Sequence, residues 1–426
     1  MRMRTILTAT ALMLATTTVL AQQAADAVDP EVGGAGMVAT LSDEAMAAQQ
    51  AKADGEAVSA ETWMVSAANP LAVQAGADVL REGGSAADAM VAVQAVLGLV
   101  EPQSSGLGGG AFLVWYDAQT GELTTLDGRE TAPMAANPRL FQNEDGEPLG
   151  FFDAVVGGLS VGTPGTPALM EDAHRRWGQA NWGQLLQPAI DLAEGGFEVS
   201  PRLAASVAGD QDRLSTFPRT RDYFFPGGAP IAEGSILVNE AYAETLRAMA
   251  KQGASALYSG PIAEGIVDTV RSAEGNPGLL AMEDLARYRV VERPAVCAEY
   301  RQLDVCGMGP PSSGALTVGQ ILGMAGAFDL PGLGPDRAES WRIIGDASRL
   351  AFADRGRYMA DSDFVPMPTE GLVDPDYLAE RAELLAGDDA LPQVAPGNPE
   401  WSHASLWADD ESLELPSTSH ISIVDA

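Results

Sequence analysis

The chain has 426 residues, 46% of them hydrophobic and 20% charged, with 25 Lys and Arg against 59 Asp and Glu for a formal net charge of −34. This length and balance exclude a disulfide-stapled miniprotein, a collagen-like repeat and a wholly disordered chain, and they accommodate one large α/β domain with additions or about two to three ordinary domains. So acidic a surface repels polyanions, which makes nucleic acid a poor partner.

Residues 1–21 read as a secretory leader. Arg2 and Arg4 precede an apolar run from Thr5 to Leu20, and Val19 and Ala21 stand at the −3 and −1 positions of a cleavage site before Gln22. That run is too short and too rich in threonine for a membrane span of about 20 residues, and no later segment reaches that length. An exported, periplasmic or secreted protein without a membrane span is expected. Residues 22–60 are poor in large apolar side chains and read as a flexible acidic lead-in.

Folded structure is expected over 61–384, beginning with a strand at Thr62–Val65. Asn69 is placed to cap a helix from Pro70 to Glu82, stopped by Gly83-Gly84, and Ser85 to cap a second, apolar helix over Ala86–Val100. The short connection makes these two a tight antiparallel pair. The run Gly106-Leu107-Gly108-Gly109-Gly110 follows a helix and precedes a strand, the wrong order for a phosphate-binding loop, so close backbone packing explains its glycines. Strands are expected at Ala111–Tyr116 and Leu123–Asp127, then a helical stretch from about Gly162 to Asp284, and further helices at about Leu316–Phe328 and Ala338–Tyr358.

Two cysteines, Cys297 and Cys306, lie in one run. A two-residue turn at Arg301-Gln302 pairs 300 with 303 and brings 297 opposite 306, at a non-hydrogen-bonded position where Cα atoms are about 4.5 Å apart. A structural disulfide is the favoured reading, and two buried free thiols the alternative. Residues 385–417 are rich in Asp, Glu, Pro, Gly and Ser and read as a flexible linker. The strand-like pattern at 420–425, after that linker and at the end of the chain, reads as a truncated element. The three histidines, His174, His403 and His420, are too scattered for a hydrolase triad or a metal cluster.

The segment Ser417-Thr418-Ser419-His420-Ile421-Ser422-Ile423-Val424-Asp425 resembles the autoprocessing site of the γ-glutamyltransferases (glutathione hydrolases), a Thr-[Thr/Ser]-His-x-Ser-[Val/Ile]-Val-Asp run that opens the small subunit. Leu80–Ala89, Leu107–Phe112, Gly128–Pro133, Gly162–Thr166, Met282–Leu285 and Pro311–Gly314 resemble that family's large-subunit blocks in the family's order, so the likeness covers about residues 62–426.

The resemblance implies an α/β (α+β) fold, a partial αββα N-terminal-nucleophile hydrolase sandwich with a large helical portion, cut off after the nucleophile strand. It implies autocleavage between Ser417 and Thr418, with 385–417 as the linker and 418–426 as the start of the small subunit that pairs with the large one. The freed α-amine of Thr418, with a reference pKa of about 7.7–8.0, then serves as base for its own hydroxyl. Arg129 takes the place of the family's substrate-binding arginine and is expected to grip the α-carboxylate of a γ-glutamyl compound such as glutathione. From local sequence alone, a strand-end salt bridge of Arg129 to Glu130 or Asp127 is the alternative. His420, Ser312 and Ser313 are expected to be scaffold residues.

No cofactor and no metal are implied. Acceptors are water, amino acids or dipeptides. In the family, further catalytic groups lie downstream of the nucleophile, so the 426-residue chain is expected neither to cleave itself nor to turn over substrate, and to expose apolar helix faces. An acylase acting on glutaryl-type β-lactam side chains and a non-catalytic exported scaffold are the other readings.

Overall fold

The computed structural model describes residues 41–401, 408–410 and 418–426. The leader, residues 22–40 of the lead-in, His403 and Ser417 lie outside the described residues. Helix and strand are mixed along the chain.

The first helix, α1 (Asp43–Ala53), stands within the stretch expected to be flexible. Ser42 accepts the Ala45 N–H, Asp43 and Glu44 fill the first turn, and Lys52 the last. No residue of α1 is buried, so alanine propensity and matched end charges hold it. A reading based on apolar periodicity passes over such a helix.

Strand β1 (Met64–Ser66) leads into α2 (Pro70–Arg81), capped by Asn69, and α3 (Ala86–Val100), capped by Ser85. The glycine loop then feeds β2 (Ala111–Asp117) and β3 (Glu122–Gly128), paired antiparallel from Ala111 opposite Gly128 to Asp117 opposite Glu122. Next come α4 (Thr166–Trp177), α5 (Gln187–Gly195), β4 (Phe197–Glu198), α6 (Pro201–Gly209), β5 (Ile236–Leu237), α7 (Glu240–Gln252) and α8 (Gly260–Arg271). Strands β6 (Val291–Arg293), β7 (Ala295–Tyr300) and β8 (Leu303–Met308) precede α9 (Gly314–Ala325), α10 (Ala338–Tyr358) and α11 (Pro375–Glu383). The last element is β9 (Ser422–Val424). Among the described residues the strands form four small sheets, β1-β9, β2-β3-β6, β4-β5 and β7-β8.

Where composition reads one folded region over 61–384, the structure has two compact units, each assembled from separated segments. Of the described residues, the first takes 41–106, Gly178–Ala250 and 418–426; the second takes Leu107–Trp177, 251–401 and 408–410. At residues 106, 177 and 250 the chain crosses between them inside the region that composition reads as one, so no linker marks these crossings.

In the first unit α3 is apolar on nearly every face, with Val91, Val93, Val96, Leu97 and Leu99 buried. Helix α2 closes on it at Gly76, where an added Cβ would stand 2.5 Å from Val93 Cγ2. At the C-terminal end of α3 the buried Glu101 carboxylate accepts from Arg202 Nη1 at 2.8 Å and from Asn69 Nδ2 at 3.2 Å. One acid thus joins the cap of α2, the end of α3 and the start of α6.

In the second unit α9, α10 and α11 share a core that includes Met324, Ile343, Leu350 and Leu378. Asp354 lies buried beside it and accepts from Gln320 Nε2 at 2.9 Å, Tyr377 Oη at 2.6 Å, Arg381 Nη2 at 3.2 Å and the Gly397 N–H at 2.7 Å. For the described residues of 385–417, which are 385–401 and 408–410, that last contact corrects the expectation of a flexible linker. Leu385 is buried, the Leu391 N–H reaches Asp346 at 3.0 Å, Arg357 pairs with Asp409, and the Asp410 N–H reaches the Gly356 carbonyl at 2.7 Å. Backbone amides of Leu391 and Gly397 docked on acidic side chains fasten the described part of this segment, and a count of apolar residues does not register them.

The β7-β8 hairpin pairs Tyr300 with Leu303 and Cys297 with Cys306, and the two sulfurs are bonded, with Cα atoms 4.0 Å apart. Arg301 opens the turn at φ 60°, a left-handed conformation that an arginine tolerates poorly.

Two outcomes are expected. Thiol titration of the denatured, unreduced protein should find no free thiol at Cys297 or Cys306, and reduction should cost about 2–3 kcal/mol in a chemical unfolding experiment. Asp354→Ala should cost about 3–5 kcal/mol, because it strands the buried Arg381 charge, and limited proteolysis should then cut near Gly397.

Candidate active site

The two residues that the sequence singles out for chemistry belong to different units, Thr418 to the first and Arg129 to the second.

Thr418 stands four residues before β9, which pairs antiparallel with β1 in the register Met64 to Val424, Val65 to Ile423 and Ser66 to Ser422. Exposure alternates from Thr418 onward. Thr418, His420, Ser422 and Val424 are exposed, whereas Ser419, Ile421, Ile423 and Asp425 are partly buried. His420 Nε2 lies 3.0 Å from Ser422 Oγ on the face that Thr418 shares. The Ser419 Oγ is buried and has no hydrogen-bond partner among the described residues. Beyond β9 the Asp425 carboxylate accepts the N–H of Ala86, the first residue of α3, at 2.8 Å.

The first turn of α3 is held independently. Asp88, fully buried, accepts from the Ser85 N–H at 2.9 Å and from the N–H groups of Gln179 and Ala180 at 2.9 and 3.1 Å. The spacing Ser85-x-x-Asp88 is the sequence signal for this reciprocal cap. Nothing local announces the contacts to Gln179 and Ala180.

Arg129 follows β3, is exposed, and makes no ion pair among the described residues. Its guanidinium carbon lies 5.8 Å from the centroid of the Phe112 ring. The salt bridge considered as the alternative is ruled out at Asp127 by competition. That carboxylate accepts from Arg293 Nε at 2.8 Å and otherwise takes the Arg129 backbone N–H at 2.9 Å. Arg293 is held in turn by Asp363, whose carboxyl it keeps below the ordinary carboxylate range through the side-chain hydrogen bond. Asp127 is thus committed elsewhere, and among the described residues the Arg129 guanidinium has no ion pair.

Its backbone is fixed on every side. The Tyr288 hydroxyl donates to the Arg129 carbonyl at 2.8 Å, and the Tyr258 hydroxyl to the Pro164 carbonyl at 2.8 Å. Burial raises the pKa of both phenols above the ordinary value, so both stay protonated donors. The Gly109 carbonyl accepts the N–H groups of Gly165 and Thr166 at 2.9 and 3.0 Å. A Cβ on Gly110 would lie 2.7 Å from the Glu130 nitrogen and 2.8 Å from Arg129 Cα, and one on Gly165 would lie 1.9 Å from the Gly128 oxygen. Close backbone approach explains Gly110 of the 106–110 loop and Gly165, whereas a Cβ on Gly108 would meet nothing within 4 Å.

Ser313 Oγ accepts from Arg355 Nε at 3.0 Å, and Ser312 Oγ from the Gly314 N–H at 3.3 Å. A cavity of about 160 Å³ lined by Trp115, Asp117, Glu122, Thr124, Arg176, Trp177 and Glu292 lies at the end of the β2-β3 pair opposite to Arg129 and holds none of the candidate residues. Among the described residues no group of three or more His, Cys, Asp or Glu is placed to hold a metal ion, and no helix is long and apolar enough to cross a membrane.

The family model for gamma-glutamyltranspeptidase matches residues 72–426. A glutathione hydrolase proenzyme of Bacillus subtilis is 35% identical over 368 residues, which is 85% of this chain and 62% of the relative. The chain thus spans less than two thirds of the length of that curated relative. An acylase proenzyme of a Pseudomonas species is 32% identical over 85% of this chain and 63% of its own length. Among solved structures, the gamma-glutamyltranspeptidase of Helicobacter pylori superimposes with a TM-score of 0.76 at 34% identity, covering 80% of this chain and 97% of that one.

The crowding beneath Arg129 predicts that Gly165→Ala lowers stability by about 2 kcal/mol or more, since the contact it creates is with backbone and cannot be relieved by a rotamer. A shift of the denaturant midpoint measures it.

Proposed function

Because the chain belongs to the γ-glutamyltranspeptidase family of N-terminal-nucleophile hydrolases, we propose that it is a proenzyme that cuts itself between Ser417 and Thr418 and then transfers the γ-glutamyl group of glutathione-like donors to water, amino acids or dipeptides. The observation that carries this reading is the family match itself, which runs through the Thr418 motif to residue 426.

In the maturation step the Thr418 hydroxyl oxygen attacks the Ser417 carbonyl carbon, and the carbon–nitrogen bond breaks as the proton passes to the Thr418 nitrogen. Water hydrolyses the resulting ester. The free amine then accepts the hydroxyl proton, which one residue can do for itself without a histidine. The activated oxygen forms an ester with the donor's γ-carbonyl, the amine of the leaving peptide takes up the proton, and an acceptor amine or water releases the γ-glutamyl group. Arg129 reads the donor's α-carboxylate with two parallel hydrogen bonds. Its exposure and its want of an ion pair among the described residues support that role.

The remaining strands of an αββα sandwich would come from the small subunit, with which the large subunit pairs after cleavage, and the leader at 1–21 would direct the protein to the periplasm or outside the cell. The acylase relative favours a second reading, in which the acyl group is a glutaryl-type side chain. A glutaryl donor also carries a carboxylate for Arg129.

Expression of the complete reading frame, with intact-mass analysis of wild type beside Thr418→Ala, tests the proposal. Wild type is expected to yield a chain that begins at Thr418, and the variant to stay whole. Both staying whole while folded and soluble would overturn the assignment. In the matured enzyme Arg129→Ala should lower kcat/KM for a γ-glutamyl anilide about 100-fold, the scale of losing a bidentate charged contact. Turnover of a glutaryl anilide but not of a γ-glutamyl anilide would select the acylase reading.

A further inference from the structure

The ladder that carries the nucleophile strand is very short. Among the described residues strand β9 pairs with β1 over three residues, Ser422–Val424. Across three pairs, a slip of one residue would turn every side chain to the other face. Thr418 would then move from the exposed side to the partly buried side that Ser419 now occupies. In so short a pairing, a contact beyond the ladder can decide the register.

We propose that Asp425 is the positioning residue that sets this register, by closing its carboxylate on the N–H of Ala86 at the start of α3. The contact is 2.8 Å long and joins residues 339 apart in sequence. Helix α3 is a firm reference because its flanks are buried and its first turn is locked by Ser85 and Asp88. The unpaired N–H groups and positive dipole end of that turn suit a carboxylate better than any other group β9 offers. Asp425 follows Thr418 by seven residues, an odd number. With side chains alternating at period two, docking Asp425 inward therefore turns Thr418 outward. This inference rests on Thr418 being the nucleophile, and the test separates the two.

Three variants of the protein from its complete reading frame isolate the contact. Asp425→Ala removes the acceptor, and Asp425→Asn keeps an acceptor oxygen without the charge. Ala86→Pro removes the donor at the first helical position, where proline is tolerated. Ser85, at φ −80° and ψ 168°, already has the extended conformation that precedes a proline.

Asp425→Ala and Ala86→Pro are each expected to slow Ser417–Thr418 cleavage about tenfold or more, and the double variant no further than either alone. Asp425→Asn is expected to recover most of the rate. In the matured enzyme kcat should fall while KM stays within about threefold, since a misplaced nucleophile weakens the reacting state and not substrate capture.

Labelling of an introduced cysteine reads the register without chemistry. Val424→Cys, on the outer face, should react quickly with a maleimide, and slowly once Asp425→Ala is added. Wild-type cleavage and labelling rates in Asp425→Ala, or single-variant effects that multiply independently, would overturn the proposal. If wild type stays whole while labelling shifts as expected, the register role stands and the nucleophile assignment fails.

Discussion

Burial of a helix that is apolar on nearly every side is the constraint on which the first unit depends. A 15-residue helix such as α3 cannot lie on a surface, so other elements must wrap it and its two polar ends must be satisfied inside the protein. Glu101 at one end and Asp88 at the other do this with carboxylates, each drawing in donors from distant parts of the chain. What begins as a requirement for hydrogen bonding at helix ends becomes the means by which residues 69 and 202 are brought to one end of α3 and residue 179 to the other. The segment that runs from Thr418 through β9 uses the same device, because Asp425 is a third carboxylate placed at a helix terminus.

The second unit solves a different problem, that of keeping one guanidinium uncommitted in a protein with 59 acidic residues. It does so by assigning the nearby carboxylate elsewhere. Asp127 serves Arg293 and the backbone, and Arg293 spends its remaining donors on Asp363. Bonds between uncharged partners, from the Tyr288 phenol to the Arg129 carbonyl, and steric exclusion at Gly110 and Gly165 then fix the main chain from which the guanidinium projects. None of this places a counter-charge on the guanidinium, and what is held is the main chain beneath it.

Local signals were the readable part of the fold. The caps at Asn69 and Ser85, the stops at Gly83 and Gly84, the helix over 338–358 and the register of the 295–308 hairpin come from residue types within a few positions of each other. The two-unit division, the docking of Gly397 on Asp354 and the hold of Tyr288 on Arg129 join residues from 43 to 159 positions apart, and no periodicity encodes them. Helix α1 escaped for a third reason, since it has a good cap and good propensity but no buried face. At the candidate site, Thr418 and Arg129 were found by resemblance to a family. Asp425 lay inside the same motif, yet its partner on α3 could be known only from the fold.

The docking of Asp409 and Asp410 on the end of α10 also bounds the reach of the chain that follows. Seven residues, 411–417, separate the last docked residue from Thr418. At about 3.6 Å per residue such a stretch spans about 25 Å at most, so the anchor on α10 sets a radius beyond which residue 417 cannot lie.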